Sequence, residues 1–226
     1  LITLLIIGYV LTATLVDVEP HSTVIYKMFG FNHVCNVVDH EPSRTISAML
    51  WPFWEIPFVI YVVFNFLRIQ DAYREGKAPR HTFLLAVIFL PIKILLTIWV
   101  RIIFVQSPEV NFLGHYLPYV GLQVLLFLVA FENVLYFQTM KALPFKNSRL
   151  LAAGYLSLLF VVTFIYVWFG LAIALEHPII DPANNTGQRA FFRSLANLYT
   201  FLALLVPLYL SWFELKRSPK HTLSIS

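Results

Sequence analysis

Three ionisable residues stand inside otherwise apolar stretches, and these are the places where chemistry could be done. Glu55 lies in WPFWEIPF, Lys93 in FLPIKILL and Glu132 in AFENVLYF, with Asn133 directly after it. A charge in hydrocarbon costs a few kcal/mol, so it implies a partner or a task such as an ion path, a proton path or a lipid headgroup contact. The bland alternative is structural: polar side chains that tie helices together contribute about 1 kcal/mol each. Glu55 sits roughly 12 Å below the outer start of its stretch at 1.5 Å per residue. Lys93, counted from the inner side, lies about 14 Å below the outer surface of a ~30 Å core. The matching depths predict that Glu55 and Lys93 face one another, with Glu132 and Asn133 in a polar layer about 8 Å deeper. Arg101, near the outer edge, is expected to reach up to lipid phosphates.

The histidines are unevenly spread. His21, His33, His40, His115 and His177 map to one side of the apolar stretches, and only His81 and His221 to the other. With Asp39 and Glu41 close by, His33, His40 and His115 are weak candidates for an outward metal site, because imidazole and carboxylate suit zinc. Their spacing matches no zinc motif, and ordinary loop histidines are the expected outcome. No histidine stands mid-stretch, which argues against a pair of axial haem ligands. A Gly-rich phosphate loop, a nucleophile elbow and a Ser-His-Asp arrangement are all absent from the sequence, so no cofactor is expected. Cys35 is the only cysteine, which excludes an internal disulfide and a cysteine-based metal site. Asn184-Asn185-Thr186 is an acceptor pattern for N-glycosylation.

The elements that must position these residues are apolar blocks of about 20 residues, the length a helix needs to cross a bilayer. Hydrophobic residues make up 59% of the 226, and charged residues 12%; soluble domains carry about 45–50% and about 25%. Blocks at residues 1–16, 46–67, 82–105, 117–137, 150–175 and 191–213 predict an all-α, polytopic transmembrane bundle of about six spans forming one domain. The first block is short and is read as a true span rather than a signal-peptide core. A β-barrel would need ten-residue alternating strands, which the sequence lacks. Pro52, Pro57, Pro91 and Pro207 interrupt spans, and Pro118 is expected at a helix start. Trp51, Trp54, Trp99, Tyr116, Tyr119 and Trp168 are expected to anchor the outer interface, and Tyr136, Tyr209 and Trp212 the inner one.

Counting Lys and Arg between the blocks sets the orientation. Ten (Arg68, Arg74, Lys77, Arg80, Lys141, Lys146, Arg149, Lys216, Arg217 and Lys220) fall on one side, and four (Lys27, Arg44, Arg189 and Arg193) on the other. The richer side is expected to be cytoplasmic, with both termini there and the histidine-bearing loops outside or lumenal. This clustering accounts for the net charge of +4 without invoking a nucleic-acid partner. An endomembrane or plasma-membrane location follows.

The arrangement resembles the DRAM/Frag/Sfk family of six-span membrane proteins over nearly the whole chain. A long outer loop leads into span two through FNHVCNVVDHEPSRTISAMLWPF, and a short loop with a histidine precedes GHYLPYVGLQVLLFLVAFENVLYF. The last span, FFRSLANLYTFLALLVPLYL, ends near Trp212, Phe213 and Glu214. The family places an acidic residue early in the last span, where this chain departs with Asn197. The resemblance implies a protein that handles or senses membrane lipid.

Three functional classes fit the residues. The favoured expectation is a non-catalytic integral membrane protein, acting as a lipid-contacting regulator or as an accessory subunit of a larger membrane complex. The 21 phenylalanines suit packing against lipid or partner helices. The alternatives are a small ion or proton channel or carrier using Glu55, Lys93 and Glu132, and a lipid-modifying enzyme built on the outward histidines.

Overall fold

The computed structural model describes residues 2–15, 21–31, 39–140 and 148–217, and every regular element among them is helical. In chain order these are α1 (Ile2–Leu15), α2 (Val24–Phe29), α3 (Ser43–Leu50), α4 (Pro52–Arg74), α5 (Arg80–Val100) and α6 (Ile102–Val105). They continue as α7 (Phe112–Thr139), α8 (Ser148–Ala174), α9 (Thr186–Thr200), a π-helical stretch (Phe201–Leu205) and α10 (Val206–Arg217). Five helical stretches among the described residues are long and apolar enough to cross a membrane: Ser43–Arg74, Arg80–Val105, Phe112–Thr139, Arg149–Ala174 and Thr186–Leu210. The block expected as a sixth span has only the 14 residues of α1 described as helix, about 21 Å of rise. It packs on α3, where the Thr12 and Ser43 hydroxyls lie 2.7 Å apart.

Local sequence explains where the helices stop. Gly76 adopts a left-handed φ of 69° after α4. Its N–H bonds the Tyr73 carbonyl at 3.0 Å, and the Lys77 N–H reaches back to Ala72 at 2.8 Å. Those two bonds satisfy the open carbonyls of the helix end, and Pro79 then prevents it from continuing. Ala72, Ala78 and Ala86 are buried together with Ile69 and Tyr136, so small side chains let α4, the turn and α5 close tightly on α7. The same pair of bonds ends α8, from Glu176 to Ile173 and from His177 to Ala172, but there a glutamate holds the left-handed position at φ 53°.

Asn111 caps α7 by accepting the Gly114 N–H at 2.8 Å. The helix therefore begins one and a half turns before Pro118, which is interior and not the start position expected from the sequence. Near Pro207 the last span shifts into π-helical spacing, with the Val206 N–H bonded to the Phe201 carbonyl. In that spacing residue 207 would donate to Leu202, and proline has no N–H. The Tyr155 hydroxyl takes its place, donating to the Leu202 carbonyl at 2.8 Å.

Central to the bundle is α7. It packs on the α4–α5 hairpin along one flank and on α8 and the last span along the other. Gly121 allows close approach to α5, because a Cβ would lie 2.8 Å from the Trp99 ring. At one end, α2 seals the bundle: Phe29 stacks on Phe192 at 5.4 Å, and Phe192 on Phe169 at 5.3 Å. Trp51, Tyr116 and Tyr136 are buried in three separate clusters, so they pack the core and are not displayed as exposed anchors. Trp99, Trp168, Tyr209 and Trp212 remain exposed.

Candidate functional site

The most concentrated buried polarity lies where α4, α5 and α7 meet. Lys93 of α5 forms an ion pair with Glu132 of α7, their side chains 1% and 3% exposed. Asn65 of α4 donates to the same carboxylate oxygen of Glu132 at 2.6 Å. One turn further along α4, Arg68 donates to Asn65 Oδ1 at 2.6 Å and to Asn133 Oδ1 at 3.4 Å. Asn133 in turn donates to the Tyr61 hydroxyl at 2.6 Å, and the Arg68 guanidinium lies 4.0 Å above the Tyr136 ring. Tyr61, Asn65 and Arg68 share one face of α4 through spacings of four and three, as Glu132 and Tyr136 do on α7. The result is a continuous polar column from mid-bundle to the end bearing the 75–79 turn.

The physical logic is mutual solvation. An isolated buried ammonium or carboxylate is prohibitively costly, and pairing repays that cost only when further hydrogen bonds satisfy the remaining atoms. Asn65 supplies one such bond. Among the described residues Glu132 Oε1 nonetheless has no hydrogen-bond partner, and the same holds for both side-chain polar atoms of buried Gln123 higher on α7. Where the column ends, a crevice of about 610 Å³ opens, lined by Arg68, Asp71, Glu75, Lys77 and Tyr136 and flanked by Phe64 and Leu67.

Lys93, Glu132 and Asn133 thus belong to one network, while Glu55 does not face Lys93. Glu55 accepts from Arg101 at 2.6 Å instead. The short turn at 75–79 sets the antiparallel register of α4 and α5: Tyr73 stacks on Phe83 at 4.7 Å near the turn, and Trp51 meets Phe104 at 4.9 Å far from it. The same register puts Arg101 beside Glu55 and brings Lys93 level with Val63, two turns away. Arg101 is correspondingly tied to a carboxylate rather than extended only toward phosphates. Tyr61, Asn65 and Arg68 are the members that the sequence did not single out. An amide in the run FNFLRIQ, three residues from an arginine, was the available signal, but Arg68 reads equally well as the first charge of the loop.

The histidine candidates do not assemble. His33 and Cys35 lie outside the described residues, and no group of three or more potential ligands gathers among those described. His115 is buried in the first turn of α7 rather than displayed on a loop, because the Asn111 cap starts the helix beneath the long loop. Its Nδ1 lies 2.8 Å from the Gln106 carbonyl and its Nε2 3.5 Å from Asp39. Burial raises Asp39 to about 8 against the opposing pull of Arg44, with Glu109 adding to the rise. Burial likewise lowers His40. Asn184 is exposed in the turn before α9, its Nδ2 bonded to Asp181 at 2.9 Å.

No family model matches the chain, and no curated protein or solved structure does.

Proposed function

We propose that this chain is a non-catalytic integral membrane protein that holds a phospholipid at the Arg68 crevice and works as a lipid-contacting regulator or accessory subunit. In this reading it spans the membrane six times, α1 belonging to the first span. The termini and the 75–79 turn are cytoplasmic, on the strength of the ten-to-four bias of Lys and Arg. The observation that carries the reading is the composition of the crevice. A guanidinium held by Asn65 and Tyr136 lies beside Phe64 and Leu67, which are 64% and 40% exposed. Such a crevice meets a headgroup and the start of an acyl chain together. The arrangement-level resemblance to lipid-handling DRAM/Frag/Sfk proteins points the same way.

The test is extraction of the full chain from native membranes in mild detergent, followed by native mass spectrometry. A bound phospholipid, lost when Leu67→Trp fills the crevice mouth without touching the polar column, supports the reading. A chain that carries no phospholipid, or that keeps it in Leu67→Trp, overturns it. Stoichiometric co-purifying membrane proteins would specify the accessory-subunit form.

A second reading, a small proton or ion carrier, is favoured by Glu132 Oε1, which lies beside Lys93 with no hydrogen-bond partner among the described residues. Its test is flux into vesicles containing the purified chain, compared with Lys93→Met. Equal flux in both removes that reading.

A further inference from the structure

We infer that the crevice selects a zwitterionic phospholipid whose headgroup ends in a primary ammonium, the ethanolamine class. The inference rests on the phospholipid reading above. Among the described residues four formal charges line the crevice: Arg68 and Lys77 are positive, Asp71 and Glu75 negative, so that part of the lining is neutral. An anionic headgroup would bring uncompensated negative charge against two carboxylates. A zwitterion brings one group for each sign.

The order of the charges adds direction. Arg68 and Asp71 lie on one face of α4, and Glu75, the residue that caps the helix, follows four positions on. Asp71 is therefore about 4.5 Å and Glu75 about 10 Å further along the helix axis than Arg68, toward the turn. In a bilayer the phosphate, joined to glycerol, lies nearer the hydrocarbon, and the ammonium extends two methylenes beyond it. Arg68 stands at the apolar margin with Phe64 and Leu67, where a phosphate would be, and the carboxylates stand where an ammonium would be.

Chemistry narrows the choice further. The Asp71 carboxylate is exposed and makes no hydrogen bond or ion pair among the described residues, and Glu75 is bridged to Lys77 at 2.5 Å. Carboxylates reward a primary ammonium with up to three N–H donors. A quaternary choline donates none and is better served by an aromatic face, and here the Tyr136 ring is already covered by Arg68. A serine headgroup adds a carboxylate that Asp71 and Glu75 would repel.

The experiment reconstitutes the full chain in nanodiscs of dioleoyl phosphatidylethanolamine, phosphatidylcholine, phosphatidylserine and phosphatidylglycerol at equal mole fractions. Lipid retained after transfer to detergent is then quantified by mass spectrometry. Exposed ion contacts shift an equilibrium by a few-fold each, so ethanolamine lipid is expected to be enriched at least about threefold over each competitor. The double variant Asp71→Asn, Glu75→Gln is expected to abolish that enrichment. Retention without headgroup preference, preference for phosphatidylglycerol or phosphatidylserine, or unchanged enrichment in the double variant overturns this inference and leaves the phospholipid reading intact. No retained lipid at all overturns both.

Discussion

Breaking the Lys93–Glu132 pair on one side is expected to be far more damaging than replacing both partners. Lys93→Met removes the ammonium and leaves Glu132, with a side chain only 3% exposed, facing the Asn65 amide alone. Glu132→Gln leaves Lys93, 1% exposed, with a neutral amide oxygen. Stranding one charge of a buried pair costs about 3–5 kcal/mol. The double variant Lys93→Met, Glu132→Gln strands no charge, and its new amide on α7 still offers Asn65 an acceptor. It is expected to lose only about 1–2 kcal/mol, mostly from the unused donors of that amide. The coupling between the two sites is then about 4 kcal/mol or more, well above the scatter of independent sites. For a chain of this size each kcal/mol is worth about 2–4 °C of melting temperature. The single variants are thus expected to melt roughly 6–20 °C below the parent, and the double within about 8 °C of it. Thermal unfolding in one detergent, followed by tryptophan fluorescence, reads all four proteins. Additive losses, or a single variant that melts with the parent, would refute the claim that these two side chains neutralise each other in the core.

Glu176→Gly is expected to stabilise the chain by about 1 kcal/mol, since glycine takes the left-handed position at the end of α8 without a Cβ penalty; a melting temperature that does not rise counts against it. Tyr155→Phe orphans the Leu202 carbonyl and is expected to cost about 1–3 kcal/mol, and Pro207→Ala in that background should recover part of it by restoring an N–H. Because Asp39 sits near 8 when folded and at 3.8 otherwise, the folded chain keeps a proton that the unfolded chain has lost between those values. Stability should therefore fall as pH rises from about 4 to 8, by up to about 1.4 kcal/mol per unit, and then level off. Asp39→Asn, which leaves Arg44, Glu109 and His115 in place, is expected to flatten that profile in melting scans. Expressed in a eukaryotic secretory system, the chain should shift on gels after glycosidase treatment and Asn184→Gln should not; a cytoplasmic 176–185 loop would give no shift in either.

Composition and local pattern determined much of this protein. Runs of about 20 apolar residues can satisfy their backbone in hydrocarbon only as helices, so five of the expected spans emerge, with ends displaced by up to seven residues. The caps at Asn111 and Asn185 need only the chemistry of one turn, but Pro118 offered a competing local start signal, so the sequence placed the start of α7 about five residues late. The three buried charges were also visible, since any ionisable side chain in such a run stands out. Which charge meets which was decided only by tertiary structure. Depth estimated from uncertain span ends carries an error of a turn or more, and at 1.5 Å per residue that is enough to exchange partners. The closed 75–79 turn sets the register that assigns Arg101 to Glu55, and the packing of α7 against the hairpin hands Lys93 to Glu132. Asn65 and Arg68 join them because the rotation of α4 about its own axis turns that face inward, and rotation is a property of packing that no hydropathy profile contains.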